Sequence, residues 1–246
     1  LRLKVIGNTA SLVLATSISV IYLYACIRKR IEVKPLQLDK KMQKKMLKYS
    51  LPIVPNSTMW WLVSSSTRYC ILYFVGVSAN GLFAVANRIP GVIAIVTSIF
   101  SQAWQLSSYE EYDSKDIRNF YSNILSIYSA ALFILASLIN VIIKPFTRAW
   151  LERSYYESWK LVPVLLLAVI FQSLNIFFGT IYTASKKTKG TLITSSLGAV
   201  TSLVLNILFI STLKLEGAGF ATLLSFLFMF LYRAFDTRKI IEINIH

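Results

Sequence analysis

The chain has 246 residues, 55% of them hydrophobic, with a net charge of +15 and a mean hydropathy of +0.59. That combination is usual for a polytopic membrane protein and high for a soluble domain, and the basic residues sit mostly between apolar runs, where topology signals belong, which argues against a nucleic-acid binder. One histidine, His246, and two cysteines, Cys26 and Cys70, in or beside different apolar runs, give histidine catalysis, a metal site or a disulfide framework almost nothing to work with.

The chain starts at Leu1 and carries no signal-peptide pattern, so it reads as the C-terminal part of a longer protein. A bilayer span needs about 20 apolar residues. Seven runs approach that length: 9–27, 50–74, 81–104, 119–143, 161–182, 191–212 and 217–232. None alternates with period two, so the expected fold is all-α, a polytopic membrane protein of about seven transmembrane helices.

The segment 28–49 follows the first run. Leu38, Met42, Met46 and Tyr49 recur at helical spacing with lysines between them, the pattern of a basic amphipathic surface helix or of a solvated linker. Placing this segment in the cytoplasm puts seventeen basic residues on that side, Arg233 among them, and seven on the other. The positive-inside rule then gives an external N-terminus and a cytoplasmic C-terminus.

The second and third runs are unusually polar. Pro52 and Pro55 should bend or break the second, and Asn56, Trp60, Ser64 and Thr67 share one of its faces, with Arg68 about 100° off that face. Along the third, Asn87, Gly91, Ala94, Ser98, Gln102 and Gln105 form a stripe beside Arg88. Packing is the expected role of Gly91, Ala94 and Ser98. Arginine at the bilayer centre costs roughly 2.5–3.5 kcal/mol on insertion scales, and no acidic residue lies within the apolar runs to offset it. Arg88, Arg68, Asn87, Asn56, Trp60, Gln102 and Gln105 are therefore the candidate cavity residues. For Arg68, reaching the headgroups is an equal alternative, and for Arg88 a salt bridge outside this chain.

Farther along, Asn123, Gln172, Asn175 and Asn206 can each line a cavity or bond across helices, and helix bonding is the favoured reading. Trp150, Tyr155, Tyr156 and Trp159 read as interfacial anchors. No phosphate loop, nucleophile elbow, zinc spacing or paired intramembrane carboxylate appears, so an enzyme is not expected and no cofactor is implied.

The stretch LKYSLPIVPNSTMWWLVSSSTRYCILYFVGVSANGLFAVANRIPGVIAIVTSIFSQAWQLSS, residues 47–108, resembles the start of the second half of bacterial Wzx-like oligosaccharide flippases, the polysaccharide biosynthesis proteins of the MOP superfamily. The resemblance implies two six-helix bundles facing across a central cavity. Residues 1–27 would end a truncated first bundle, 28–49 would be the cytoplasmic linker, 50–235 the complete second bundle and 236–246 a cytoplasmic tail. It also implies flipping of an undecaprenyl-pyrophosphate-linked oligosaccharide across the cytoplasmic membrane for O-antigen, capsule or exopolysaccharide synthesis. Membrane lipids and polysaccharide polymerase or assembly proteins would be the partners, with no nucleic acid. The alternatives are a non-transporting scaffold subunit and a MATE-like exporter of small molecules.

Overall fold

The computed structural model describes residues 4–28, 39–112, 114 and 116–241. Leu38 and most of the linker ahead of it lie outside these residues, as does the end of the tail. The chain divides into two compact units, Leu1–Lys44 and Lys45–His246. In the first, α1 (Lys4–Arg28) is a 25-residue helix, about 37 Å long at 1.5 Å per residue. α2 (Lys40–Ser50) straddles the division. Met42, Met46 and Leu47 stand exposed among its lysines, so the amphipathic helix exists from Lys40 onward.

The second unit is helical throughout its described residues. It runs α3 (Ile53–Phe74), α4 (Val77–Arg88), α5 (Pro90–Glu110), α6 (Ile117–Trp150), a short 3₁₀ segment (Arg153–Lys160), α7 (Val162–Ala184) and α8 (Thr188–Thr237). By length and apolar content α6, α7 and α8 can each cross a bilayer, as can α4 and α5 together. α3 is long enough, at 22 residues, but its Ser64–Arg68 run makes it more polar.

α8 is two helices. Lys214 has φ 52° and ψ −125°, a left-handed conformation that reverses the chain. Gly217 permits the reversal, because a Cβ there would run into the Phe209 carbonyl. The two arms pack antiparallel. Gly198 abuts Met229, and Arg233 bonds Thr194 and Ser195, pairings that straddle Lys214 evenly. With this division each of the seven apolar runs is helical, the third being shared by α4 and α5, and among the α-helices only α2 lies essentially outside them.

The breaks differ from expectation. α3 contains no proline break: Pro52 is its N-cap residue and Pro55 lies in the first turn, where no intrahelical N–H is needed. The break falls at Pro90, where α4 and α5 meet at 48°. Pro90 cannot donate to the Ala86 carbonyl, and Val92 N–H turns instead to Ile89 O at 3.0 Å.

α7 is the buried spine. On one side lies an aromatic cluster, with Trp104 stacked on Phe177 at 4.3 Å between centroids and Phe100 on Tyr128 at 3.9 Å. The Trp104 indole donates to Phe177 O at 3.4 Å. On its other side α7 meets α8, where Asn175 Nδ2 donates to Phe226 O at 2.9 Å.

Candidate functional site

α3 meets α8 along a polar seam. Ser66 Oγ lies 3.3 Å from Ser202 Oγ, Asn206 Nδ2 donates to Ser66 Oγ at 3.1 Å, and the hydroxyls of Thr67 and Thr222 are 3.4 Å apart. In hydrocarbon such groups need protein partners, and here the helices supply them to each other. Asn175 and Asn206 bond across helices as expected. Asn123 does not: it is exposed.

Asn56 and Trp60 belong to the end of this seam, around Arg233. Arg233 is 1% exposed, the largest fully buried side chain among the described residues. Its guanidinium donates to Asn175 O at 2.7 Å, Ser195 Oγ at 2.8 Å and Thr194 Oγ1 at 3.0 Å. It lies 5.5 Å from the Trp60 ring, and Ser195 Oγ is 2.5 Å from Asn56 Oδ1. Trp60 also stacks on Phe226 at 6.2 Å. Arg233 therefore does not belong in the topology count. Without it, sixteen basic residues still face seven.

A separate polar cleft of about 110 Å³ opens between α3, α4, α7 and α8. Ser64, Thr67, Arg68, Asn87, Gln172 and Thr222 line it. Gln172 thus faces the cleft and makes no interhelical bond among the described residues. Asn87 lies at its edge and spends one amide proton on Phe83 O at 2.9 Å. Leu165 and Thr222 also border the cleft, early in α7 and shortly after the Lys214 reversal, so it lies toward that end of the bundle.

Arg68 is exposed at the cleft mouth, and Arg88 is exposed at the α4–α5 bend. Neither forms an ion pair or hydrogen bond with a described residue. Gln102 and Gln105 are exposed too, on the face of α5 that carries Ala94 and Ser98. The packing expected of that stripe is not made among the described residues: Ala94 and Ser98 are exposed, and a Cβ added at Gly91 would meet open space.

Trp61 is not among the seven candidate cavity residues, although the sequence offers it, with Trp60, either as a stacking surface for a sugar or as a packing residue. It is 53% exposed and precedes Arg68 by seven residues, two helical turns, so both stand on the same open face of α3. Tyr69 flanks it, 6.3 Å away between ring centroids. The i, i+7 relation to Arg68 was the available signal.

Trp61, Arg68, Arg88, Gln102 and Gln105 are thus all exposed, while Asn56 and Trp60 hold helices together. Among the described residues no group of three or more acidic, histidine or cysteine side chains is placed to hold a metal. The acidic residues of α8 sit at its reversal, Glu216, and near its end, Asp236.

Residues 2–105 match the family model described as "Polysaccharide biosynthesis protein". None of the curated protein sequences matches the chain significantly. Among solved structures, an outward-facing multidrug resistance MATE transporter of the MOP superfamily superposes with TM-score 0.68 at 19% identity. A MOP superfamily transporter from Pyrococcus furiosus, described as having a binding pocket of reversed polarity, gives 0.64 at 20%. A MATE protein in complex with MaL6 gives 0.65 at 18%. Each alignment covers 82% of this chain and 47% of the other, so the chain spans about half the length of these transporters. At such identities the likeness is one of fold: the chain is all-α, with the architecture of half a MOP-superfamily transporter, and its structural neighbours are transporters, not enzymes.

Proposed function

We propose, starting from that half-transporter fold, that the chain supplies the second bundle of a flippase for phosphate-linked saccharide lipids. In this reading α1 ends the opposing bundle and the segment before α3 joins the two. The observation that carries it is the exposure of Arg68 and Arg88, neither with an ion-pair partner among the described residues. Two arginines without acidic partners, beside exposed glutamines and Trp61, make poor lipid contacts but suit an anionic, sugar-bearing head. Guanidinium groups bind phosphate oxygens bidentately, and an exposed indole offers a stacking surface to a sugar ring. The lipid tail stays in the bilayer while the head crosses between bundles. The matched family description, polysaccharide biosynthesis, supports a saccharide cargo.

Undecaprenyl pyrophosphate is the carrier proposed, and the bacterial cytoplasmic membrane the setting, with the lysine-rich end of the bundle cytoplasmic. O-antigen, capsule or exopolysaccharide synthesis would use the product, and a polymerase would receive it.

The MATE-type neighbours favour a second reading, export of small molecules. Cation exchange of that kind uses a buried carboxylate, and the apolar runs here contain none. The reading is tested by Arg88→Ala in the full-length protein. Loss of one charge-assisted contact, on the order of 1.5–3 kcal/mol, should lower surface polysaccharide about tenfold or more at unchanged membrane abundance. Normal polysaccharide output would remove Arg88 from the pathway.

A further inference from the structure

At the end of the bundle away from the Lys214 reversal lies a cleft of about 700 Å³. Three elements wall it. The C-terminal half of α2 contributes Lys45 and Lys48, the α7–α8 turn and the start of α8 contribute Lys186, Lys187 and Lys189, and the turn after α8 contributes Lys239. Its one acidic lining residue, Asp236, is already engaged. Asp236 Oδ2 accepts from the Tyr182 hydroxyl at 2.7 Å, and Oδ1 lies 3.5 Å from Lys239 Nζ.

Backbone geometry gathers these charges. Lys186 adopts φ 59°, a left-handed conformation that a lysine holds only at a cost. That tight turn places three lysines within four residues at the start of α8. Gly190 lets the Tyr182 ring lie against the first turn of α8, since a Cβ there would collide with the ring. Six ammonium groups around one concavity repel one another. An anion bound among them removes that repulsion. The volume falls within the roughly 300–1,000 Å³ common for small-ligand sites.

We infer that this cleft binds a phosphate or diphosphate group, carried on a lipid or free in solution. Lysine suits it as a set of mobile point charges that can follow either group. A second cleft of about 760 Å³ shares Lys45, Tyr49 and Lys186 and continues along Met46, Tyr109 and Tyr112. Its apolar and hydroxyl surface is where the first carbons of a lipid would lie. The inference stands apart from the transport reading, because it concerns different residues and its test reads binding, not translocation.

The test uses the full-length protein in detergent, with two probes at fixed ionic strength. Inorganic pyrophosphate is titrated calorimetrically, and phosphatidic acid is added to the micelle and read as adducts by native mass spectrometry, with phosphatidylcholine as reference. The triple variant Lys45→Gln, Lys187→Gln, Lys239→Gln takes one lysine from each wall. A control, Lys144→Gln, Arg148→Gln, Lys160→Gln, removes equal charge elsewhere. Binding of either probe, weakened about tenfold or more by the first triple and kept by the control, supports the site. Adducts without pyrophosphate binding identify a lipid headgroup as the source, and pyrophosphate binding without adducts identifies a free anion. Equal weakening by both triples overturns the inference, as does binding of neither probe above the reference.

Discussion

Arg233 brings a full charge into an interior where no described residue forms an ion pair with it. Three hydrogen bonds and the Trp60 ring hold it there, tying α3, α7 and both arms of α8 together. A lysine would keep the charge but reach fewer acceptors. Arg233→Lys should therefore destabilise the bundle at least as much as Arg233→Met, each by roughly 2–4 kcal/mol, read as a lowered thermal midpoint in detergent. A wild-type midpoint for the lysine variant would contradict this role. From sequence Arg233 looked like one more flanking charge, because the positive-inside rule counts residues by position along the chain and carries no information about which way a side chain points. Trp60 and Trp61 pose the same problem one residue apart. About 100° of helix rotation separates the partner of Phe226 from the exposed ring, and only the packing of α8 on α3 decides between them.

At the scale of elements, hydropathy revealed what it is sensitive to. All seven apolar runs are helices, since each needs internal backbone hydrogen bonds in lipid. The breaks were less legible. Pro52 and Pro55 fall where a helix begins and so cost little, whereas Pro90 falls inside a span and bends it by 48°. The reversal at Lys214 has its own prediction. Lys214→Gly should stabilise the hairpin by about 1 kcal/mol, because glycine enters left-handed conformations without a Cβ clash. Gly217→Ala should do the opposite and reduce the folded yield, since its methyl would occupy the place of the Phe209 carbonyl. Both effects are read by monodispersity and thermal midpoint of the purified protein. An alanine variant as stable as wild type would mean that the arms separate more easily than their packing suggests.

For the whole molecule, the exposed arginines and glutamines of α3 to α5 are the central feature. Arg68, Arg88, Gln102 and Gln105 were legible as misfits in hydrocarbon, but not as a surface left unpacked by their own bundle; that required the helices to be placed around α7. The chain spans about half of the transporters it superposes on, so this face is proposed to line a cavity completed by the opposing bundle. Its polarity, basic and free of carboxylates among the described residues, is the ground on which an anionic head is proposed for it. The most direct measurement reconstitutes the full-length protein in vesicles with a fluorescent diphosphate-linked oligosaccharide lipid and follows its appearance in the opposite leaflet. The account predicts translocation well above protein-free vesicles, lost in the Arg68→Ala, Arg88→Ala double variant. Translocation at the protein-free rate, or an equal rate in the double variant, would contradict it.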